Sequence, residues 1–207
     1  DVAPSRGLGD VYKRQYENSQ EGWNMRIIGG KARGTKLYTL EGENTRPTLD
    51  RVKESLFNII QTEIPNSIFL DLFSGSGAIG LEAVSRGAKK AILCDKSKDA
   101  IKIIEKNIKK THLEEKIEYY QLPFEILLNN QIKDLINIVY IDPPYKTDYA
   151  YESLKILIDN KMLKKDSYII IETDDEKRII EQIKSLKVNI VDQRKYGRAY
   201  LIFLREK

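Results

Sequence analysis

The chain has 207 residues, of which 41% are hydrophobic and 32% charged, and its formal net charge is +4. This length and composition predict one globular domain with a sizeable core, and they exclude a low-complexity disordered chain. The single cysteine, Cys94, and the single histidine, His112, exclude an internal disulfide, a cysteine-rich zinc site and a multi-histidine metal site.

The first 24 residues differ from the rest of the chain. They are rich in glycine and polar residues and lack a sustained hydrophobic period. We expect residues 1–24 to be a disordered leader, which could be foreign to the native protein. From Met25 the pattern changes: residues 25–61 are expected to form an N-terminal hairpin and helix, and residues 62–207 a main domain.

The predicted hairpin carries positive charge. Between residues 25 and 36 two short apolar stretches flank a glycine-rich turn, with four basic residues and no acidic one. This pattern fits either a solvated face or a strip that contacts phosphate groups. The basic residues are Arg26, Lys31, Arg33 and Lys36.

A helix is predicted after the hairpin. Either Thr48 or Asp50 is expected to cap its first turn, and Pro65 follows its end. The apolar positions that share one face at helical spacing are Val52, Leu56, Ile59 and Ile60.

Strands and helices alternate along the rest of the chain. Because apolar strands separated by amphipathic helices are typical of a parallel sheet covered on both faces, we predict an α/β fold. The last two strands are joined by Tyr196-Gly197-Arg198, which is short enough for an antiparallel hairpin. Strands are predicted at 67–72, 90–95, 116–121, 136–142, 167–172, 188–194 and 199–204, and helices at 77–86, 97–110, 123–130, 149–160 and 175–186.

A glycine-rich loop follows the first of these strands. It reads Asp71-Leu-Phe-Ser-Gly75-Ser-Gly77-Ala-Ile-Gly80, and Asp95 ends the next strand, where a carboxylate can accept from ribose hydroxyls. The glycine spacing alone admits a nicotinamide cofactor or S-adenosylmethionine. Since Asp71 would repel a pyrophosphate but suit a cationic amino acid and sulfonium, we favour S-adenosylmethionine.

A second motif, Asp142-Pro143-Pro144-Tyr145, ends a buried strand. Proline has no N–H, so its backbone offers carbonyl oxygens only. Asp142 and the Pro143 carbonyl can accept both N–H groups of an exocyclic base amine, which points the nitrogen lone pair at a methyl donor. Tyr145 can stack on the base. Cys94 lies within a predicted strand and is expected to fill the core, which disfavours thiolate chemistry on cytosine C5.

The two motifs together favour a methyltransferase that acts on the exocyclic amine of a base, and three alternatives remain open at this point. An adenine-N6 methyltransferase acting on DNA or RNA would use the same Asp-Pro-Pro-Tyr motif. An NAD-dependent oxidoreductase would use the glycine loop but would leave Asp142 and its neighbours without a purpose. A non-catalytic RNA-binding protein on a degenerate methyltransferase fold is disfavoured by the intact acids at Asp71, Asp95 and Asp142.

Four motifs in chain order resemble the RsmD family of bacterial 16S ribosomal RNA guanine-N2 methyltransferases. They are Met25-Arg-Ile-Ile-Gly-Gly-Lys-Ala-Arg-Gly, Arg46-Pro-Thr-Leu-Asp-Arg51-Val-Lys-Glu, the glycine loop from Asp71 to Glu82, and Asp142-Pro-Pro-Tyr145. The resemblance implies a class I S-adenosylmethionine-dependent methyltransferase fold, with seven strands and an N-terminal extension. One departure is that Pro123 stands near the place where the family usually carries an acid for the adenine amino group.

The resemblance also implies a site and partners. The expected partner is 16S rRNA within the 30S subunit or a late assembly intermediate, bound by a monomeric cytoplasmic protein without metal or membrane contact. Catalytic residues are expected at Asp142, Pro143, Pro144 and Tyr145. The expected S-adenosylmethionine residues are Asp71, Phe73, Gly75, Ser76, Gly77, Asp95, Lys96, Leu122 and Phe124. The expected RNA-binding residues are Arg26, Lys31, Arg33, Lys36, Arg46 and Arg51.

Overall fold

A computed structural model describes residues 25–40 and 47–207 of the chain. The predicted leader over residues 1–24 and the predicted RNA-binding residue Arg46 lie outside the described residues. None of the helices in the described ranges is both long and apolar enough to cross a bilayer.

A short hairpin opens the described chain and confirms the prediction for this segment. Strand β1 (Met25–Arg26) pairs antiparallel with β2 (Lys36–Leu37), and Met25 lies opposite Leu37. Ile27 and Leu37 are fully buried, so apolar packing holds the hairpin against the rest of the protein. The basic residues of the hairpin are exposed to solvent.

Helix α1 (Pro47–Ile59) follows, and its apolar residues lie on one face as predicted. Val52 and Leu56 are buried, together with Phe57, which the prediction omitted. The capping prediction was wrong: the helix begins at Pro47, so Thr48 and Asp50 lie inside it. Proline suits the first turn because its missing N–H has no partner there in any case.

The remaining chain forms a seven-stranded sheet, as predicted. The strands are β3 (Ile68–Asp71), β4 (Lys90–Cys94), β5 (Ile117–Tyr120), β6 (Ile136–Ile141), β7 (Leu163–Thr173), β8 (Val188–Tyr196) and β9 (Ala199–Glu206). Their order in the sheet is β5-β4-β3-β6-β7-β9-β8, in which β3 to β7 run parallel and β9 runs antiparallel to both neighbours, β7 and β8. The helices are α2 (Ala78–Ser85), α3 (Lys98–Thr111), α4 (Phe124–Asn130), α5 (Tyr149–Asp159) and α6 (Glu176–Ile183).

Helices cover both faces of the sheet because successive strand side chains point to opposite sides. Phe69 packs in one core cluster with residues of α1, α2 and α3, whereas its neighbour Leu70 packs in the other with residues of α4, α5 and α6. Ile27 and Leu37 belong to the first cluster, so the N-terminal hairpin shares a core with the sheet. The domain boundary between residues 61 and 62 stays a prediction.

This topology gathers the predicted site at one edge of the sheet. Since β3, β4, β6 and β7 are parallel, their carboxyl ends meet at the same edge, and open α/β sheets bind their ligands there. Asp71 ends β3, Asp95 follows β4, and Asp142 follows β6.

Candidate active site

A cavity of about 1150 Å³ opens at the carboxyl edge of the parallel strands. It contains every predicted cofactor-binding and catalytic residue except Gly77. Those residues are Asp71, Phe73, Gly75, Ser76, Asp95, Lys96, Leu122, Phe124, Asp142, Pro143, Pro144 and Tyr145. The glycine loop and the Asp142-Pro143-Pro144-Tyr145 motif, which are far apart in the sequence, therefore line the same cavity. Their positions at the ends of predicted strands indicated this.

The glycine loop turns sharply from β3 into α2. Gly75 and Gly77 have φ angles of 51° and 77°, in the left-handed region that favours glycine. The Gly77 N–H donates to the Ser74 carbonyl at 2.7 Å, and a Cβ on Gly77 would lie 3.2 Å from Ile104 Cγ1. Gly77 thus shapes the turn and the packing against α3 from outside the cavity, while Gly75 lines it.

Asp71 is a buried carboxylate that reaches the cavity from the end of β3. Only 1% of its surface is exposed, and its Oδ2 accepts the Gly80 N–H at 3.2 Å. Burial, with the charge of Asp95 as a smaller contribution, raises the pKa of Asp71 to about 7. A cation bound nearby would stabilise the ionised form, so this carboxylate favours a positively charged ligand group.

Asp95 is held by the loops around it. Its Oδ2 accepts the Gly75 N–H at 3.0 Å and its Oδ1 accepts the Ser97 N–H at 2.8 Å. These bonds fix the carboxylate between the glycine loop and the start of α3. A carboxylate in this place, one strand beyond the glycine loop, can accept hydrogen bonds from the hydroxyls of a ribose.

An aromatic cluster lines the side of the cavity next to Leu122 and Pro123. The rings of Phe73 and Tyr149 stack with centroids 6.2 Å apart and planes 1° apart, and Phe124 lies 5.4 Å from Phe73. Tyr149 was missed by sequence reasoning, since it begins α5 and belongs to no motif. The cluster offers the apolar wall that a flat adenine ring requires.

Cys94 is a buried residue of β4, as predicted. It is fully buried, and its thiol donates to the Leu122 carbonyl at 3.3 Å. Burial together with the charges of Asp95 and Asp71 raises the pKa of Cys94 to about 12. The side chain therefore stays a thiol at neutral pH and is not a nucleophile.

The Asp142–Tyr145 segment forms the outer wall of the cavity. Asp142 is half-buried, and Tyr145 is 69% exposed. Burial, then the charges of Asp142, Glu172 and Asp174, raises the pKa of Tyr145, so its ring stays neutral beside three carboxylates. An exposed aromatic ring next to hydrogen-bond acceptors can receive a flat group that carries N–H donors.

Two cavity residues missed by the sequence reasoning are Glu172 and Tyr140. Glu172 lies near the end of β7, and the Tyr140 hydroxyl donates to its Oε2. Burial raises the pKa of Glu172 and of Tyr140. The signal for Glu172 was available, because it ends a predicted buried strand as Asp71 and Asp142 do.

A buried ionic cluster connects the N-terminal hairpin to α2. Glu82 is fully buried, and its carboxylate accepts the N–H groups of Ile28 at 2.8 Å and Gly29 at 2.7 Å. Arg86 Nε lies 2.7 Å and Lys53 Nζ 3.6 Å from the same carboxylate. Because Lys53 also lines the cavity, this cluster links the hairpin to the site.

The five predicted RNA-binding residues that the structure describes lie outside the cavity. Arg26, Lys31, Arg33, Lys36 and Arg51 are all exposed and do not line it. Their assignment to RNA stays a prediction. A basic residue that does line the cavity, Arg198 in the β8–β9 turn, was not predicted.

The strand order and the position of the cavity define the class of protein. A parallel sheet whose order reverses between β3 and β6, ended by an antiparallel β9 and carrying its cavity at the reversal point, is the class I methyltransferase fold.

Comparison with known proteins identifies the family. Residues 25–205 match the family described as Conserved hypothetical protein 95. Ribosomal RNA small subunit methyltransferase D of Haemophilus influenzae is 36% identical over 179 residues, which cover 83% of this chain and 93% of that protein. The protein of the same name from Escherichia coli is 35% identical over 152 residues, covering 73% and 76% of the two chains. The solved structure of yhhF from Escherichia coli superposes with a TM-score of 0.76 at 31% identity, over 88% of this chain and 98% of that chain. This chain belongs to that family, the RsmD methyltransferases, as its motifs predicted.

Proposed function

We propose that this protein transfers a methyl group from S-adenosylmethionine to the exocyclic N2 of a guanine in 16S ribosomal RNA of the small subunit. The observation that carries the proposal is the single cavity shared by the glycine loop and the Asp142-Pro143-Pro144-Tyr145 segment. The names of the relatives support ribosomal RNA of the small subunit as the substrate.

The residues present fit S-adenosylmethionine. Asp71 suits the cationic amino group, Asp95 suits the ribose hydroxyls, and the wall formed by Leu122, Phe124 and Phe73 suits adenine. When bound, the cofactor supplies an electrophilic methyl group on a sulfonium. With Pro123 at the usual acid position, the adenine would be held by the apolar wall and by main-chain groups.

Asp142 and its neighbours would prepare the acceptor amine. The amine lone pair of guanine is delocalised into the ring, so the free base is a poor nucleophile. By accepting its two N–H groups, Asp142 and the Pro143 carbonyl would favour a pyramidal nitrogen with an available lone pair. The carboxylate would also offset the positive charge that develops on nitrogen during transfer, and Tyr145 would stack on the base.

Methyl transfer to the base can be tested with unmodified 30S particles. Protein and tritiated S-adenosylmethionine are incubated with the particles, and the RNA is digested to nucleosides for chromatography. We expect N2-methylguanosine from the wild type and a loss of at least about 100-fold in rate for Asp142→Ala. Recovery of N6-methyladenosine would move the protein to the adenine alternative, and an active Asp142→Ala would refute the mechanism.

The cofactor can be tested separately by calorimetry with S-adenosylhomocysteine and with NADH. We expect binding of S-adenosylhomocysteine to the wild type and to Asp142→Ala with similar affinity, since Asp142 faces the base. Asp159→Asn changes an exposed carboxylate paired with Lys155 and serves as a matched control. Binding of NADH without binding of S-adenosylhomocysteine would refute the proposed cofactor.

A further inference from the structure

Glu172 stands beside the segment that is proposed to grip the base. Ile141 of β6 pairs with Ile171 of β7, so Asp142 and Glu172 directly follow the last paired residues of two neighbouring strands. Both side chains line the cavity. Asp142 belongs to the motif that is proposed to bind the base, whereas Glu172 belongs to no motif and has not been given a role above.

The orientation of Glu172 is set by a neighbouring side chain. The hydroxyl of buried Tyr140, on the adjacent strand, donates to Glu172 Oε2. This bond fixes one oxygen of the carboxylate and restricts rotation of the group. A carboxylate held at the base end of a cavity is a preorganised hydrogen-bond acceptor.

We propose that Glu172 selects guanine by accepting the N1–H of the target base, next to the amine held by Asp142. The inference rests on the proposed function and names the part of the base that discriminates. Guanine carries a proton on N1, adjacent to the carbon that bears the 2-amino group. A purine without that proton would present a lone pair to the carboxylate, which repels it and loses the hydrogen bond.

The electrostatics of the surroundings agree with this role. Asp142, Glu172 and Asp174 each act on the Tyr145 hydroxyl, so the base enters a space bordered by acceptors. Burial raises the pKa of Glu172, while the Tyr140 hydroxyl bond opposes that shift. A donor such as N1–H would likewise favour the ionised form.

The test replaces the target guanine by 2-aminopurine, which keeps the 2-amino group but has no proton on N1. The methylated position is first mapped with the wild type, and 16S RNA ligated around a synthetic segment with either base is assembled into 30S particles. We measure kcat/KM for both substrates with the wild type, Glu172→Gln and the control Asp159→Asn. Calorimetry with S-adenosylhomocysteine checks the cofactor pocket of each variant.

The wild type should prefer guanine by about 10- to 100-fold, the range expected for a hydrogen bond to a charged acceptor. Glu172→Gln should bring the ratio to within about threefold of one, because its amide can donate to the unprotonated N1. Asp159→Asn should keep the wild-type ratio, since Asp159 is exposed, pairs with Lys155 and does not line the cavity. An unchanged ratio in Glu172→Gln with normal S-adenosylhomocysteine binding would overturn the inference.

A second variant tests the same inference in case Glu172→Gln does not fold. Tyr140→Phe removes the hydroxyl that orients Glu172 and should lower the guanine preference at least threefold. If Glu172→Gln fails to bind S-adenosylhomocysteine, a wild-type ratio in Tyr140→Phe overturns the inference. Methylation of adenine by the wild type would instead refute the proposed function, and the role of Glu172 with it.

Discussion

Removal of the buried charge at Asp71 should weaken cofactor binding at pH 8 and, in the absence of ligand, make the folded protein more stable. Asp71→Asn keeps an oxygen that can accept the Gly80 N–H but removes the carboxylate. In the wild type the pKa of Asp71 is raised from 3.8 to about 7, chiefly by burial. The ionised form is needed for a cationic ligand, whereas burial in the folded protein without ligand favours the protonated form more than the unfolded chain does.

The expected pH dependence follows from that pKa. Between pH 8 and pH 6 the ionised fraction of Asp71 falls from about 0.9 to about 0.1, so affinity for S-adenosylhomocysteine should fall about tenfold. Calorimetry at pH 6, 7 and 8 measures this change. Asp71→Asn should bind more weakly than the wild type at pH 8, with an affinity that is nearly constant over the same range.

The raised pKa of Asp71 also affects the stability of the folded protein, which is greater when the carboxyl group is protonated. Because the folded-state pKa of Asp71 lies above its unfolded value, the stability associated with its protonated form is fully present below pH 3.8 and is lost as pH rises to about 7. The full shift corresponds to a loss of about 4 kcal/mol. In thermal unfolding at pH 8 without ligand, Asp71→Asn should therefore be more stable than the wild type.

Two results would refute this reasoning. One is wild-type affinity for S-adenosylhomocysteine that differs less than twofold between pH 6 and pH 8. The other is Asp71→Asn binding as tightly as the wild type at pH 8, which would mean that the carboxylate does not act on the cationic group. Asp159→Asn, an exposed control, should keep the wild-type pH profile.

The remaining predictions concern the N-terminal hairpin. Gly30→Ala should destabilise the protein by at least about 2 kcal/mol, because its φ is +76° and an added Cβ would lie 1.8 Å from the Ser85 carbonyl oxygen. Urea unfolding measures this, and Gly34→Ala, whose Cβ meets no atom within 4 Å, controls for strain alone at φ +86°; equal losses would refute the packing argument. Lys31→Ala and Arg33→Ala should each lower the slope of RNA affinity against salt by about one, measured by filter binding from low to high salt. An unchanged slope would mean that the hairpin is merely solvated.

The sequence predicts much of this fold because most of the parallel strands contain buried apolar runs and are separated by clear helices. Because Asp71, Asp95 and Asp142 each stand at the end of a predicted parallel strand, the sequence also predicts that they lie at one edge of the sheet. The errors fall where local signals compete. Thr48 and Asp50 are good capping residues, but the helix begins before both of them, at Pro47.

The contacts that sequence reasoning missed are those that join distant segments. Glu82 belongs to the glycine-loop motif in the sequence. Its carboxylate nevertheless accepts hydrogen bonds from the backbone N–H groups of Ile28 and Gly29 in the hairpin, more than 50 residues earlier. Tyr149 belongs to α5 and reaches the aromatic wall through tertiary packing. Tyr140 and Glu172 meet across two strands that are adjacent in the sheet but 32 residues apart in the chain. No periodicity or motif spacing specifies such pairs.

The cavity and the outer surface differ in charge in a way that suits the proposed substrate. Acidic residues, among them Asp71, Asp95, Asp142 and Glu172, outnumber the basic residues Lys53, Lys96 and Arg198 in the cavity lining, so the balance of charge disfavours a phosphate group there. The exposed basic residues of the hairpin lie outside. An RNA strand would therefore keep its backbone at the surface and present only a base to the cavity, which requires an unpaired or extruded nucleotide. Since Glu82 holds the hairpin backbone while Lys53 reaches from the same cluster to the cavity wall, the surface proposed to meet the RNA backbone and the space proposed to receive the base are fixed relative to one another.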